Sequence, residues 1–148
     1  MLMNRNLVTI PESSSCREAV LRMHRARIRH LPVLTGDGAL VGVVTDRDLR
    51  HHLFRPRIYK EVGATPIDVL LEAVPVREIM STPVITTDAA DEMTDAARIM
   101  LEEHVGSLPV VEGGRLVGIV TETDLLREIC RADAACSLEV ADVVVSYP

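Results

Sequence analysis

The chain has 148 residues, 47% of them hydrophobic, with one Phe, two Tyr and no Trp, so it holds one domain, or two very small ones sharing an aliphatic core. Its net charge of −6 argues against general nucleic-acid binding, although residues 1–74 carry 11 Lys/Arg against 8 Asp/Glu and residues 75–148 carry 5 against 14. No apolar run approaches the roughly 20 residues of a membrane span, and Cys16, Cys130 and Cys136, with no Cys-x-x-Cys, read as reduced thiols of a cytoplasmic protein.

In chain order, "LVTI" at 7–10 predicts a short extended segment. Cys16, Ala19, Val20 and Met23 then recur at i, i+3, i+4, i+7, the apolar stripe of an amphipathic helix. Two β-rich runs follow, "LPVL" and "LVGVV", joined by "TGDGA", a hairpin-like turn. A second helix begins at Thr45, with Leu49 and Leu53 opening its buried face. Pro56, Gly63 and Pro66 make 55–66 an irregular surface loop, and "IDVLLEA" a short helix with Pro66 at its first turn. The order then recurs: "VITT", a helix striped by Met93, Ala96, Ala97 and Met100, "LPVV" and "LVGIV" around "EGGR", and a helix from Thr121 with Leu125 and Ile129 on its buried face. The tail "SLEVADVVVSYP" is β-prone and either covers an edge or joins a partner.

This recurrence is an internal repeat. At an offset of 77, Met3 meets Met80, Thr9 meets Thr86, and Met23 meets Met100; beyond the hairpin loop the offset is 76, and Gly42 meets Gly118, Thr45 meets Thr121, and Asp48 meets Asp124. Residues 1–54 form the first β-α-β-β-α unit, 55–79 a linker with a short helix, 80–132 the second unit and 133–148 a tail.

The repeated Thr-x-x-Asp has two readings. As a helix start, the threonine hydroxyl accepts from a backbone N–H two or three residues on while the aspartate reaches back, as in a capping box. As a binding element, the helix N-terminus suits a phosphate and the carboxylate suits two vicinal hydroxyls of a ribose.

The motifs "HLPVL" with "LVGVVTDRDL" and "SLPVV" with "LVGIVTETDL" resemble a tandem pair of CBS (cystathionine-β-synthase) domains, a Bateman module, over residues 3–53 and 80–131. The resemblance implies an α/β (α+β) fold of two β-α-β-β-α repeats packed around a pseudo-twofold axis, with two clefts able to hold adenosine-containing ligands. It gives ribose or phosphate roles to Asp48 with Thr45 and to Asp124 with Thr121. It places Val8, Thr9, Arg29 and His30 in one base pocket, Ile85, Thr86, Gly106 and Ser107 in the other, and Met80 and Ser81 at a cleft border. Ser or Thr often precedes the motif aspartate in ligand-binding members; Thr123 fits and Arg47 departs, as a phosphate clamp or as an ion-pair partner.

The expected function is a stand-alone cytoplasmic regulatory module, no enzyme, that takes AMP, ADP, ATP, S-adenosylmethionine or NAD as a regulatory ligand and requires no cofactor. Its expected partners are a second copy, in a homodimer formed through the apolar helices, and an unknown regulated protein, with no membrane. A structural dimerisation module with empty clefts and a nucleic-acid-binding protein are the alternatives. The basic run Arg22, Arg25, Arg27, Arg29, His30 lacks the aromatic residues that stack bases, and His51 with His52 has no partner at metal-ligand spacing. No Gly-x-Ser-x-Gly, His-Glu-x-x-His or P-loop occurs.

Overall fold

Each half of the chain folds into the same five elements. A computed structural model describes residues 3–53 and 66–132; the expected loop at 55–65, Cys136 and the tail at 133–148 lie outside the described residues. The first repeat runs β1 (Ile10–Pro11), α1 (Cys16–Ala26), β2 (His30–Leu34), β3 (Leu40–Thr45) and α2 (Asp46–Leu53). The connector supplies α3 (Ile67–Ala73) and a 3-10 turn, Val76–Glu78. The second repeat runs β4 (Thr87–Asp88), α4 (Met93–Glu103), β5 (Ser107–Glu112), β6 (Arg115–Thr121) and α5 (Glu122–Ala132). The two three-stranded sheets share one topology, β1 parallel to β2 and β2 antiparallel to β3, then the same for β4, β5 and β6. The register slips at corresponding places, after Val33 and after Val110.

Local chemistry sets these boundaries. The Ser15 hydroxyl accepts from Glu18 N–H at 3.3 Å and starts α1. The helix ends where Arg27 enters the left-handed region at φ 53, and Ile28 N–H reaches back to Met23 O at 3.0 Å. The second repeat ends α4 likewise, with His104 at φ 55 and Val105 N–H on Met100 O at 3.1 Å. The β5–β6 turn needs positive φ at two consecutive residues, which Gly113 and Gly114 supply.

Leu31, Val33, Val44, Ile10 and Ala19 fill the first core, and Leu108, Val110, Val120, Ala96 and Met100 the second. The connector contributes Leu71 and Val76 to the first core. Three expectations change. Val20 is 38% exposed, because Cys16, Ala19 and Met23 already form the narrow stripe that faces the sheet and Val20 lies at its margin. Ile129 is 65% exposed, so α5 buries no such second turn within this chain. The strands are Ile10–Pro11 and Thr87–Asp88 rather than the whole of "LVTI" and "VITT".

The segment before each short strand goes to the other repeat. Asn4 and Ile119 exchange backbone hydrogen bonds at 2.9 and 3.1 Å, and Ser81 and Val43 do so at 2.9 and 3.3 Å. Met3 lies against Gly118 and Met80 against Gly42, so close that a side chain at either glycine would collide with the methionine. Asn4 corresponds to Ser81 and Ile119 to Val43 in the repeat, so the exchange is reciprocal, as a pseudo-twofold relation requires.

Candidate functional site

The strand-to-helix junction after β3 begins with a hairpin strand that ends in Thr45. The Thr45 hydroxyl donates to Asp48 Oδ2 at 2.7 Å and accepts from Asp48 N–H at 3.1 Å, while Thr45 N–H donates to the same Oδ2 at 2.8 Å. The junction after β6 repeats this at 2.7, 3.4 and 2.9 Å between Thr121 and Asp124. The motif is therefore a reciprocal helix cap, worth about 1 kcal/mol at each junction. The cap uses one carboxylate oxygen. The other oxygen of Asp48 has no hydrogen bond or ion pair among the described residues, whereas Oδ1 of Asp124 lies 3.6 Å from Arg127.

Asp48 opens onto a cleft of about 390 Å³ lined by Arg47, Asp48, His51, His52, Glu78, Ile79 and Met80, a size within the roughly 300–1,000 Å³ of small-molecule sites. One wall is α2; the other is the connector as it crosses to the second repeat, held by the Ser81–Val43 pairing. Of the residues named from the sequence, Arg47, Asp48 and Met80 border this cleft directly, and Thr45 fixes Asp48. Sequence reasoning missed His51, His52, Glu78 and Ile79 as lining. His51 and His52 stand three and four residues after Asp48, on its side of the helix, and Glu78 and Ile79 immediately precede Met80; those spacings were the available signal.

The remaining named residues are distributed as follows. His30 opens β2 opposite Thr45, and Ser107 opens β5 opposite Thr121, buried. The Arg29 carbonyl accepts from Asp46 N–H, and the Gly106 carbonyl accepts from Glu122 N–H, both at 3.1 Å. A side chain at Gly106 would lie 3.5 Å from His30 Nε2 and 3.4 Å from Glu122 Oε2, so ring and carboxylate approach one point between the repeats. Burial, aided by Arg29, holds the His30 imidazolium pKa below its ordinary value against the opposing pull of Asp46, Glu122 and Asp48. Val8 and Ile85 pack against their own repeats' cores. Thr9 gives its carbonyl to Arg22 at 2.5 Å, Ser81 is exposed, and Thr86 and Thr123 are half-buried.

Beneath the first cleft, a small apolar cavity lined by Cys16, Leu49, Leu70, Leu71 and Val74 shares His52 and Ile79 with it. Burial, with Glu78 adding to it, pushes the Cys16 thiol up to about 11, so it stays protonated and unreactive. Among the described residues no three His, Cys, Asp or Glu side chains cluster as a metal site, and no helix is long and apolar enough to cross a membrane.

Comparison with known proteins places this geometry. The protein named Uncharacterized protein MJ1404, of Methanocaldococcus jannaschii, is 36% identical over 140 residues, 94% of this chain, and the chain spans 33% of that protein's length. The crystal structure of protein MJ1225 from the same organism matches with a TM-score of 0.75 at 29% identity, covering 86% of this chain and 45% of that one. The CBS domain pair of protein MJ0100, solved in complex with 5′-methylthioadenosine and S-adenosyl-L-methionine, matches with a TM-score of 0.71 at 25% identity, covering 88% and 94%. The CBS domain family model matches residues 1–55 and 76–131. With the doubled fold and the doubled Thr-x-x-Asp junction, these matches show that the chain belongs to the CBS domain family, as a tandem pair.

Proposed function

We propose that the chain is a regulatory module that binds an adenosine-containing ligand in its inter-repeat clefts and passes its occupancy to a partner. The observation that carries this reading is the Asp48 carboxylate: one oxygen is fixed by the Thr45 cap, and the other is free beside a cleft of about 390 Å³. A ribose offers two vicinal hydroxyls to such an oxygen, and each charge-assisted bond contributes about 1.5–3 kcal/mol where water is excluded. Asp124 with Thr121 repeats the element. The base is held beside Met80 and Ser81, and Arg29, His30, Gly106, Ser107, Val8, Thr9, Ile85, Thr86 and Thr123 complete the two sites. The relative solved with methylthioadenosine and S-adenosylmethionine supports the ligand class.

Ligand that bridges α2 to Met80 ties the first repeat to the connector, and this is the route to a partner. By linkage, the partner changes ligand affinity by the same factor that the ligand changes partner affinity. A second copy covers the exposed Leu126 and Ile129 of α5 and Leu101 of α4, with the basic half of one copy against the acidic half of the other. Sedimentation of the full chain and of Leu126→Arg checks this: the parent sediments as a dimer and the variant shifts toward monomer.

Thermal unfolding with AMP, ADP, ATP, S-adenosylmethionine and NAD tests the ligand reading. A ligand at 100 times its Kd adds about 2.7 kcal/mol, which raises Tm by roughly 5–10 °C for a chain of this size. A melting temperature unmoved by all five compounds favours a module with empty clefts.

A further inference from the structure

We propose that Met80 is an oxidation site, and that conversion of its thioether to the sulfoxide by a peroxide releases the start of the second repeat from the first. This goes beyond ligand binding and does not depend on which ligand the cleft takes.

The described methionines stand in different settings. Met23 and Met100 are 6% and 4% exposed in the two cores, and Met93 packs half-buried against the second core. Met3 and Met80 instead cross between the repeats, onto Gly118 and Gly42. Met80 is half-buried and lines the cleft of about 390 Å³, so water and a small oxidant reach it from there.

The contact with Gly42 has no slack. A Cβ at Gly42 would lie 2.5 Å from Met80 Sδ, 2.9 Å from Cγ and 3.2 Å from Cβ, so the thioether rests on the bare backbone of β3. The next residue along each segment carries the cross-repeat pairing: Ser81 N–H donates to Val43 O at 2.9 Å, and Val43 N–H donates to Ser81 O at 3.3 Å.

In the reaction a sulfur lone pair attacks one oxygen of hydrogen peroxide and the O–O bond breaks. The proton on the attacked oxygen passes to the departing one, which leaves as water. Sulfur is oxidised by two electrons and the peroxide is reduced by two. The product carries a strongly polar oxygen where a soft apolar atom lay. Room for that oxygen and water to hydrogen-bond it lie on the cleft side, not against Gly42. The side chain therefore turns into the cleft, and the packing that holds Ser81 against Val43 goes with it. Enzymatic reduction of the sulfoxide restores the contact.

Peroxide treatment of the full chain tests this, in a Met3→Leu background that removes the matching thioether at Gly118. Peptide mass spectrometry finds Met80 carrying one added oxygen before Met23 and Met100 do. Amide hydrogen exchange at Val43 and Ser81 quickens by about tenfold or more, while that at Asn4 and Ile119 changes less. The melting temperature falls by roughly 3–6 °C. Met80→Leu, close in volume and not oxidised, abolishes both responses; it keeps every cysteine, so thiol oxidation is controlled. Met93→Leu, which removes a half-buried methionine of the second core, leaves them intact. Methionine sulfoxide reductases return the treated parent to its starting melting temperature, an arm that stands even if Met80→Leu folds poorly. Oxidation of Met80 no sooner than of Met23 and Met100 overturns the proposal. So do equal peroxide responses with and without Met80→Leu, exchange that quickens alike at both crosswise pairings, and a loss that the reductases leave in place.

Discussion

The first repeat is roofed by the connector, and the second is not roofed by any described residue. Leu71 and Val76 enter the first core, α3 packs on α1, and the connector's backbone joins the start of α1 through Cys16 N–H to Val74 O and Val76 N–H to Ser14 O, both at 2.8 Å. In the second repeat Leu101, Leu126 and Ile129 are 62–76% exposed. The first repeat has His24 and Arg50 at the positions of Leu101 and Leu126. The two copies agree closely at the strand-helix junction and diverge on their helix faces and at position 47. That pattern is expected where the junction performs the shared task and the faces meet different neighbours.

The comparison is broken most severely in the cores. Leu31 and Leu108 are equivalent and fully buried, and Leu→Ala at either site removes about 2–5 kcal/mol. If the crosswise pairing makes the repeats one cooperative unit, both variants melt in a single lowered transition. Two separated transitions in scanning calorimetry would show that the repeats unfold independently.

The glycines beneath the methionines come next. Gly42→Ala and Gly118→Ala each overfill a close contact and cost about 1–3 kcal/mol. At Gly42 the three nearest obstructing atoms are all from the Met80 side chain, whereas at Gly118 the Asn4 carbonyl also stands 3.2 Å from the added carbon. Met80→Ala therefore restores most of the loss in Gly42→Ala, and Met3→Ala restores only part of the loss in Gly118→Ala. Equal rescue in urea unfolding would contradict the difference.

The caps are nearly identical, so Thr45→Ala and Thr121→Ala lose about 1 kcal/mol each, and serine at either site recovers most of it. Unequal losses would mean that one junction holds its helix by other means.

The smallest effect concerns pH. His30 in the first repeat corresponds to Ser107 in the second. The folded chain keeps the His30 imidazole neutral below its ordinary value of 6.5, so the unfolded chain binds the proton first as pH falls. Its contribution to stability is present above about pH 6.5 and is lost below it. His30→Ser removes this part of the slope, and Glu122→Gln steepens it because Glu122 favours the protonated ring. An unchanged slope in His30→Ser would assign the dependence to other groups.

Much of this was legible in the sequence because it is local. The hairpins, the caps and the helix stripes rest on spacings within ten residues, and the doubled motif made each half a check on the other. The exchange of Asn4 and Ser81 between repeats has no local signature; it is a pairing of single residues more than 100 positions apart for Asn4 with Ile119. The same holds for the cleft wall at Glu78 and Ile79, whose sequence reads as a connector. Val20 and Ile129 were misplaced because a stripe predicts which way a residue faces and not whether anything covers it.

The central claim is that the carboxylates of Asp48 and Asp124 hold ribose hydroxyls. Calorimetric comparison of adenosine with 2′,3′-dideoxyadenosine, in the parent chain and in the Asp48→Asn, Asp124→Asn double variant, tests it most directly. The account predicts that the parent prefers adenosine by about tenfold or more, as expected for a lost charge-assisted bond, and that the double variant binds the two alike. A double variant that still prefers adenosine as strongly as the parent would contradict it.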